Sequence, residues 1–577
     1  GKDTSGNGNN YTPNNLSVSA GQNNDSLEDT PTNNYPTLNF TNSKSPSRIR
    51  NGALDINFTD GDDNDSALAT FGMESGKYYF EILLRAGSSS VLSSLIGIAP
   101  DSYQKLKKNI GESAWAGKDT DSGVGMDGSG AKYIDGSSST YGSSFTTNDI
   151  VGVAVDADAK KVAFSKNGQF SDGNGNFNQG ANVASGGQVS IDGTAPYFLA
   201  VADTSGSRDP KFTLNFGQRA FSYSIPSGYQ KLNSQNLPSC AANPSIEYFD
   251  STLWTGNGSS QNITGFNFSP DWVWGKPRST SHFHTVVDTV RGAGNLLFPN
   301  VNNGEETSAT AITAFLSNGF TVGSQGNALN NNGETYVGWV WDAGSSTSTN
   351  STGSISAQVR ANATAGISIC TWTGTGSNGS IGHGLGVTPN FCLMKRRDTG
   401  GNNWIAASFD MQSARELNTS NAFSDGDYDA FFPSQPTSSV INMATDSNNN
   451  TSGGTYVGYI FSSVQGFSKF GTYEGNGNSN GSYIFTGFRP AFLIIKRTDS
   501  GNHWCIYDVK RSTVNVVDDF LAADDPFAES TNNSQMRVDF LAAGFKLRSG
   551  FDIVNAGSGT YFYWAIAENP FKNARAR

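Results

Sequence analysis

Cysteine is scarce in this chain, with four residues among 577. So few cysteines cannot form a disulfide framework in so long a chain, which excludes the class of small disulfide-stapled domains. Cys370 and Cys392 each stand inside an apolar, strand-like segment. We expect both to be buried as small hydrophobic residues.

Long apolar runs and an excess of basic charge are also missing. No stretch of about 18 consecutive apolar residues occurs, so no membrane insertion is predicted. Acidic residues outnumber basic ones by 50 to 38, which gives a formal net charge of −12. This balance opposes nucleic-acid binding, which needs a basic surface, and it favours a soluble, outward-facing protein. The chain starts at Gly1 without Met or a signal-like segment, so we expect its numbering to begin at a processing site or an artificial boundary.

Leucine-rich runs with a helical spacing of 3.6 residues are almost absent. Instead, short aromatic and β-branched runs alternate with Gly, Asn and Asp, which is typical of strands and turns. Hydrophobic residues make up only 36% of the chain and aromatic residues 12%. This composition favours several thin β-sandwiches with aromatic cores over one large globule.

Catalytic signatures are missing as well. The sequence has no Gly-x-Ser-x-Gly elbow with plausible partners and no phosphate-binding loop. A glycosidase needs two carboxylates that face each other across a cleft, and no strand carries alternating acidic residues. Glu334 and Glu474 fall in repeated frames, but their counterparts there are Gly or Thr. We therefore predict that the protein is not an enzyme and that it holds no cofactor and no metal.

The clearest positive feature is a threefold internal repeat in the C-terminal part of the chain. Each copy opens on an aromatic-x-Gly motif, continues into an apolar strand that ends in lysine, and closes on a second aromatic strand. The opening motifs begin at positions 254, 372 and 473, the strand lysines are Lys276, Lys395 and Lys496, and the closing strands begin at positions 335, 455 and 560. Because the apolar scaffold recurs while most polar residues drift, the pattern is typical of a modular binding or structural protein.

The repeats and the changes in composition predict six segments. Residues rich in Asn, Ser, Gly and Thr come first and have almost nothing to bury, so they are expected to form an arm that is ordered only where something holds it. The Gly/Ser/Thr-rich stretch after the first repeat predicts a flexible connector, whereas the third copy follows the second almost directly, so those two are expected to pack together. The predicted segments are an arm at 1–34, a β-sandwich at 35–238, repeat 1 at 242–345, a linker at 346–365, repeat 2 at 366–466 and repeat 3 at 467–577.

The segment 35–238 carries an ordered series of strand motifs. They are Gly-Lys-Tyr-Tyr-Phe-Glu at 76–81, Ile-Gly-Ile-Ala at 96–99, Asp-Ile-Val-Gly-Val-Ala-Val-Asp at 149–156, Val-Ala-Phe-Ser-Lys-Asn-Gly at 162–168, Pro-Tyr-Phe at 196–198, Asn-Phe-Gly-Gln at 215–218 and Pro-Ser-Gly-Tyr at 226–229. This series, spread over about 160 residues, resembles the SPRY domain, a concanavalin-like sandwich of two antiparallel sheets. The residues also predict a hairpin by themselves, since strand 151–155 turns at Asp156, and strand 162–164 runs back to a second turn at Asn167-Gly168.

A SPRY-like unit followed by three β repeats resembles a domain arrangement found in virion proteins of marine bacteriophages. The Gly-rich segment 380–389 and the C-terminal Ala-Glu-Asn-Pro-Phe at 567–571 add to that likeness. The expected fold is thus all-β: a SPRY (concanavalin-like) antiparallel β-sandwich, followed by three smaller β-sandwich repeats.

The resemblance implies a structural appendage on the virion surface, such as a tail fibre or a head fibre or knob. The implied partners are other virion structural proteins and a host cell-surface glycan or protein. Fibres are often trimers, so a homotrimer is an expected oligomeric state, although no heptad or β-helical stalk demands it. The alternatives are a secreted carbohydrate-active enzyme and a bacterial adhesin with β-sandwich modules.

A ligand, if bound, is expected on the loops at one end of the SPRY-like sandwich, because loops vary freely on a rigid sheet scaffold. The Gly/Ser/Asp-rich segment from about residue 113 to 144 has aromatic residues with no obvious core partner. Such rings can stack on sugar faces while carboxylates accept hydrogen bonds from hydroxyls. The ligand-binding residues predicted there are Trp115, Tyr133, Tyr141, Asp121, Asp127 and Asp135. The alternative is that these rings only cover the rim of the sheet.

Other conspicuous residues have a structural explanation. Trp272 and Trp274 point to one face of a strand and have Phe, Leu or Ile as counterparts, so they are expected in a core. Asp288 and Arg291 recur as an Asp-x-x-Arg pair in the third copy, which indicates a buried ion pair or a turn lock. The three strand lysines are expected to extend over an aromatic edge to solvent.

Two motifs suggest metals only weakly. His282 and His284 have the i, i+2 spacing that places two imidazoles on one strand face, but the other repeats lack the pair. The acidic run at 60–65 offers oxygen ligands for Ca²⁺ but lacks the closing Glu of an EF-hand loop. A solvated turn is the preferred interpretation of that run.

Overall fold

The computed structural model describes residues 27–28, 33–43, 46–59, 65–85, 91–100, 115–205, 208–238, 248–324, 329–541 and 543–568. The chain divides into two compact units, the first ending at Pro238 and the second extending from there to Phe571. The described residues form 42 strands and two short α-helices, so the all-β prediction is confirmed. No helix within them is both long and apolar enough to cross a membrane.

The first unit consists of two sheets. Its strands are β1 (Leu38–Ser43), β2 (Ile49–Arg50), β3 (Asp55–Asn57), β4 (Ser66–Ala69), β5 (Lys77–Leu84), β6 (Ser94–Pro100), β7 (Val124–Asp127), β8 (Ala131–Ile134), β9 (Ser137–Thr140), β10 (Ile150–Asp156), β11 (Lys161–Lys166), β12 (Gln169–Phe170), β13 (Val189–Ser190), β14 (Tyr197–Asp203), β15 (Lys211–Asn215) and β16 (Gln230–Lys231), with 3-10 turns at Pro46–Arg48 and Ser185–Gly187. One sheet has the order β1-β4-β14-β6-β7-β8-β9, and the other the order β12-β11-β10-β5-β15-β3-β2, with β13 and β16 added beside β11 and β5. The central strands of both sheets are almost wholly buried, as a sandwich requires.

The hairpin predicted from the sequence is present. Strand β10 pairs antiparallel with β11, and Val153 lies opposite Phe164. Asn167 and Gly168 both have positive φ, at 49° and 77°, and they form the tight turn into β12. The Asn-Gly pair fits because neither residue pays a high cost in the left-handed region.

The first unit also binds part of the predicted arm. The Glu28 N–H donates to the Gln218 carbonyl over 2.8 Å, and the Glu28 carboxylate forms an ion pair with Lys231. Apart from Leu27, the rest of the segment before Asn33 and most of the acidic run at 60–65 lie outside the described residues. Asp65 of that run is described and is fully buried.

The second unit contains the three repeats, each with a larger and a smaller sheet. Repeat 1 has β17 (Phe249–Thr255), β18 (Gln261–Thr264), β19 (Trp272–Pro277), β20 (Thr285–Asp288), β21 (Asn295–Leu296), β22 (Glu306–Thr307), β23 (Ile312–Leu316), β24 (Gly319–Val322) and β25 (Thr335–Trp341). Repeat 2 has β26 (Ser348–Asn350), β27 (Ala357–Asn362), β28 (Ile367–Thr373), β29 (Gly379–Gly382), β30 (Phe391–Arg396), β31 (Ile405–Ser408), β32 (Ser413–Glu416), α1 (Asp425–Phe431), β33 (Val440–Met443) and β34 (Thr455–Phe461). Repeat 3 has β35 (Ser468–Glu474), β36 (Tyr483–Phe485), β37 (Pro490–Arg497), β38 (Trp504–Asp508), β39 (Leu521–Ala522), β40 (Val538–Leu541), β41 (Gly544–Leu547), α2 (Asp552–Asn555) and β42 (Thr560–Ala567).

The three repeats have the same strand order at the centre of their larger sheets. The larger sheets are β17-β25-β19-β20, β26-β27-β28-β34-β30-β31-β32 and β35-β42-β37-β38-β39, and the smaller ones are β18-β24-β23, β29-β33 and β36-β41-β40. Repeat 1 has in addition the two-stranded sheet β21-β22. In each case the closing strand of the repeat lies between the opening strand and the lysine strand. The repeat in the sequence is therefore a repeat in topology.

The central strands of each larger sheet are buried on both faces, which explains their continuous apolar sequences. In repeat 1, Val273 and Val340 face the smaller sheet, whereas Trp272, Trp274 and Trp339 face a core that all three repeats share. Repeats 2 and 3 contribute the equivalent strands to this common core, whose members include Leu393, Tyr459, Phe492 and Trp564. The prediction that Trp272 and Trp274 are core residues is confirmed, since both are fully buried.

The predicted linker at 346–365 is different in the structure. Its residues form strands β26 and β27, which extend the larger sheet of repeat 2 beside β28. Ile355, Ala357 and Val359 are buried at every second position, so the segment has the alternation of a half-buried strand despite its Ser- and Thr-rich composition. The segment therefore belongs to repeat 2. With this correction, repeat 1 comprises the described residues 248–345, repeat 2 residues 346–466 and repeat 3 residues 467–568.

The three repeats close into a ring through equivalent backbone hydrogen bonds. The Glu305 N–H of repeat 1 donates to the Arg397 carbonyl of repeat 2 over 2.8 Å. The Phe423 N–H of repeat 2 donates to the Thr498 carbonyl of repeat 3 over 3.0 Å. The third bond runs from the Glu529 N–H of repeat 3 to the Arg278 carbonyl of repeat 1 over 2.8 Å. Each repeat thus contacts the next by the same surface, as subunits do in a closed head-to-tail ring.

Candidate functional site

The segment predicted as a ligand-binding loop is described from residue 115 onward. It forms the three short strands β7, β8 and β9 at one edge of the seven-stranded sheet. Strand β9 is exposed along its whole length. The turn between β8 and β9 is Asp135-Gly136, whose φ values of 49° and 72° suit a two-residue hairpin turn.

Three of the predicted residues lie together. The Trp115 and Tyr133 rings meet edge to face with centroids 5.0 Å apart. The Tyr133 hydroxyl donates to Asp127 over 3.1 Å. Asp127 also accepts from the Ser129 and Ala131 N–H groups, at 2.9 and 3.0 Å, and these two hydrogen bonds stabilise the β7–β8 turn. Trp115 is 9% exposed, so only its edge reaches the surface.

The other two acidic residues lie near a residue that the sequence did not indicate. Asp135, Asp121 and Gly123 lie close to the Asp192 carboxylate, whose two buried oxygens have no hydrogen-bond partner among the described residues. Burial, and next the contact with Asp135, raises the pKa of Asp192 to about 6. No local motif distinguishes Asp192 in the sequence, because these neighbours come from turns more than 50 positions away.

Tyr141 does not fit the predicted site. Its side chain is fully buried, its hydroxyl donates to the Gly187 carbonyl over 2.6 Å, and it accepts from the Phe164 N–H over 2.9 Å. The ring also packs edge to face on Phe164 and Phe177. The expectation that Tyr141 offers a ring face to a ligand is therefore wrong, because its partners come from strand β11 and from the turn region beyond it.

The remaining predicted residues form a shallow polar rim beside β8. The rim offers carboxylates and two partly covered rings, a set that can bind hydroxyl groups. It offers no aligned nucleophile and base. A ligand-binding role for Trp115, Tyr133, Asp121, Asp127 and Asp135 remains a prediction.

The repeated polar residues serve the junctions of the ring. The side chains of Asp288 and Arg291 are both 0% exposed, and Arg291 Nε donates to Asp288 over 2.5 Å. Tyr459 of repeat 2 donates its hydroxyl to Asp288 over 2.8 Å. Glu305 accepts from Arg291 and from Arg397 of repeat 2, at 2.9 and 2.8 Å. Burial opposes charge on Arg291, but Asp288, Tyr459 and Glu305 outweigh it, so the pKa of Arg291 is raised.

The junction between repeats 3 and 1 has the same network. Arg511 Nε donates to Asp508 over 2.5 Å, and both side chains are again 0% exposed. The indole N–H of Trp339, the counterpart of Tyr459, donates to Asp508 over 3.1 Å. Glu529 joins Arg511 to Arg278 of repeat 1. The Asp-x-x-Arg pair is thus a buried ion pair, as the sequence indicated, and it joins neighbouring repeats.

The junction between repeats 2 and 3 lacks this network. Strand pairing places Ser408 where Asp288 and Asp508 stand, since Ser408 lies opposite Phe391 as Asp288 lies opposite Trp272. Three positions later, Met411 takes the place of the arginine and packs against the common core. In the backbone hydrogen bonds that close the ring, Phe423 stands where the other two junctions have Glu305 and Glu529. Thr498 stands where those junctions have Arg397 and Arg278. The whole ionic network is replaced by apolar or neutral residues.

The strand lysines are buried, contrary to the expectation that they extend to solvent. Lys276, Lys395 and Lys496 are each 0% exposed. Lys395 donates to the Asn402 carbonyl at 2.7 Å, and Lys496 to the Ser420 carbonyl of repeat 2 at 3.1 Å. Burial lowers the pKa of Lys276 to about 7, and those of Lys395 and Lys496 to about 8. The sequence could not show this, because it does not reveal that the loop after each strand folds back with its carbonyls towards the lysine, or that Ser420 of the neighbouring repeat approaches Lys496.

His284 is a junction residue as well. Its Nδ1 accepts from the Trp274 indole N–H over 3.0 Å, so its Nε2 carries the proton and donates to the Ala522 carbonyl of repeat 3 over 2.8 Å. Burial, and then nearby Lys276, keeps the pKa of His284 well below its usual value. His282 is instead half-buried and 3.8 Å from Glu334. In the described part of the chain, no three His, Cys, Asp or Glu side chains are grouped as a metal site would need.

Comparison with known proteins identifies both units. Residues 243–570 match the model of a domain of unknown function, DUF7483, and residues 77–180 match that of the SPRY domain. The first unit therefore contains a SPRY domain, as its ordered motifs indicated. No curated protein is similar in sequence to the chain.

Several solved structures are similar to part of this chain. The SPRY domain of human HERC1 is 20% identical over 26% of this chain and 81% of its own, with a TM-score of 0.20. A human SPRY domain is 20% identical over 26% of this chain and 83% of its own, with a TM-score of 0.19. Stonustoxin is 13% identical over 31% of this chain and 27% of its own, with a TM-score of 0.20.

Proposed function

This chain belongs to the DUF7483 family, and we propose that it is a structural surface appendage of a phage virion that mediates contact with a host glycan or protein. The appendage is a tail fibre, or a fibre or knob on the head. The proposal includes a location on the virion surface and attachment to other virion structural proteins.

The observation that carries the proposal is the use of polar residues in the second unit. Its repeated charged residues are paired across the junctions: Asp288 and Arg291 are buried and hydrogen-bonded to Tyr459 of repeat 2, and the partly buried Glu305 pairs with Arg397. Buried charges that are fully paired hold elements in one arrangement, and they are not available for acid–base chemistry on a substrate. This supports a rigid scaffold whose exposed loops make the contacts.

The net charge and the resemblance of the domain order to phage virion proteins support the location. A net charge of −12 keeps a surface protein soluble and unattracted to the packaged nucleic acid. The exposed edge strand β9 and the polar rim beside it provide a surface for host contact.

Immunogold labelling of intact virions tests the proposal. An antibody raised against the purified chain should place gold at one type of site, on the tail or on the head, and virions lacking the gene should stay unlabelled. Absence of gold from every surface site of intact virions would refute the virion role. Incubation of the pure chain with marine polysaccharides should release no reducing ends, since release would favour a carbohydrate-active enzyme.

A further inference from the structure

An open cleft lies between the end of repeat 1 and strand β27 of repeat 2. Its volume is about 630 Å³, and its walls include Tyr248, Ser269, Asp342, Ser345, Arg360 and Asn362. This volume falls in the range of about 300–1,000 Å³ that is usual for sites of small molecules. The walls combine one aromatic ring with donors and acceptors.

The cleft lies where the repeats differ. Among the described residues, strands β26 and β27 have no counterpart in the sheets of repeats 1 and 3, and β27 carries Arg360 and Asn362. Asp342, two positions before Gly344, directly follows the closing strand of repeat 1, where the other repeats have Ser462 and Ala567. The repeated scaffold therefore does not require these polar side chains.

A buried carboxylate holds Arg360 in the wall. Asp271, which is 1% exposed, accepts from Arg360 Nη2 over 2.8 Å. The same carboxylate accepts from the Thr289 hydroxyl and from the Ala343 N–H, each over 2.9 Å. The counterparts of Asp271 are Asn390 and Ala491, so this anchor also belongs to the first junction alone. Asp271 fixes the guanidinium next to residues 342–343.

The groups at the cleft have hydrogen-bonding capacity left over. Arg360 Nε is buried and has no partner among the described residues, whereas 17% of the side chain as a whole is exposed and can donate to a ligand in the cleft. Asp342 lines the cleft, and its Oδ1 accepts from the Gly344 N–H over 2.6 Å, which orients the carboxylate. Asn362 Oδ1 accepts from the Ala365 N–H over 3.1 Å, and its Nδ2 lies 3.4 Å from the Asp342 carbonyl.

We propose that this cleft binds a neutral saccharide, with Asp342 accepting from sugar hydroxyls, Arg360 and Asn362 donating to them, and Tyr248 contacting an apolar sugar face. The inference rests on the proposed function, for which it supplies a site and a ligand class. Asp271 is a positioning residue, because it acts through Arg360.

The charge of the cleft selects against other ligands. Asp271 neutralises Arg360, and Asp342 adds a negative charge, so the local sum is negative and disfavours phosphate, sulfate or an acidic sugar. A purely apolar ligand would cover the Asp342 carboxylate and the exposed part of the Arg360 guanidinium without offering them hydrogen bonds. A neutral polyol satisfies donors and acceptors together.

Saturation-transfer NMR on the full chain tests the site. The probes are methyl β-galactopyranoside, methyl α-glucopyranoside, methyl α-mannopyranoside and N-acetylglucosamine, each titrated to about 50 mM, since single sugars bind weakly, on the order of 1 mM or above. At least one probe should show saturation transfer to its ring protons. Asp342→Ala and Asn362→Ala should each weaken that binding about tenfold, whereas Asp429→Ala, at an exposed position on helix α1, should leave it unchanged.

Two results would overturn the proposal: no transfer to any of the four sugars, or transfer that Asp342→Ala and Asn362→Ala leave intact, because the sugar would then bind elsewhere. Urea denaturation of both variants should match the unsubstituted protein, which separates loss of binding from loss of folding. The virion role is judged separately. Gold labelling without sugar binding would refute only the proposed binding site, and sugar binding without gold labelling would refute only the virion role.

Discussion

Replacement of Arg291 by methionine should destabilise the second unit strongly. The side chains of Arg291 and Asp288 have no exposed surface, and the substitution leaves the Asp288 carboxylate buried without its counter-ion. Breaking a buried pair in this way costs about 3–5 kcal/mol. Asp288 keeps the hydroxyl of Tyr459 and the N–H groups of Val290 and residue 291, so we expect a loss near the lower limit, about 3 kcal/mol.

Tryptophan fluorescence during urea denaturation measures this loss. Nine of the ten tryptophans lie in the second unit, all except Trp115, so the signal reports chiefly on the three repeats. The matched control is Arg396→Met, which removes a surface pair with Asp398 whose side chain is 34% exposed. Exposed pairs contribute about 0–1 kcal/mol, so the control should shift the midpoint little.

A double variant separates the ion pair from simple packing. Asp288→Ser with Arg291→Met reproduces the residues Ser408 and Met411 of repeat 2. Because no charge is then left unpaired, it should be more stable than Arg291→Met alone. The reasoning fails if Arg291→Met costs no more than Arg396→Met, or if the second substitution deepens the loss.

Further substitutions test other parts of the fold. Trp339→Phe removes the indole donor to Asp508 and should lower the free energy of unfolding by about 1.5–3 kcal/mol in urea denaturation. The buried indole N–H of Trp341 has no partner among the described residues, so Trp341→Phe should cost clearly less. Equal losses for the two variants would contradict this argument. The folded pKa of Lys276, about 7, lies below the unfolded value, so the unfolded state binds more protons and the unfolding free energy should rise as pH increases from about 7 towards 10. Lys276→Met should reduce that rise, measured as the urea midpoint against pH, and an unchanged slope would refute the burial argument. Tyr141→Ala should cost about 3–5 kcal/mol in the first unit, seen by thermal denaturation, because a buried ring and two hydrogen bonds are lost; an unchanged melting temperature would mean that the ring is not a core residue.

Much of the fold could be predicted from the sequence because its signals are local. The alternation in strand β10 and the Asn167-Gly168 turn fix one hairpin within 20 residues. The apolar counterparts of Trp272 and Trp274 in the other repeats identify them as core residues. A repeat supplies such comparisons within one chain, since a position that is apolar in all copies is governed by packing.

The rest depends on partners that are distant in sequence. Tyr141 looks isolated among Gly and Ser, yet its hydroxyl bonds Gly187 and Phe164. The strand lysines look exposed at the end of their strands, but loops of neighbouring repeats cover them. The candidate cleft depends on β27, whose Ser- and Thr-rich surroundings indicate a linker. Only the folded chain brings these groups together.

The third junction shows what the ionic networks contribute. There Phe423 packs against Trp504 and Phe562, with ring centroids 5.5 and 6.0 Å apart, at the place where the other junctions have a glutamate between two arginines. Replacement of a buried ion pair by packed apolar residues is commonly neutral or stabilising, so the networks are not needed to hold adjacent repeats together. The ionic networks differ from the apolar junction in specificity, because a buried charged side chain is stable only beside a partner of opposite charge. Two ionic junctions and one apolar junction therefore give each repeat a unique neighbour on either side, and the order of the repeats around the ring is fixed by which contacts would leave a charge buried and unpaired.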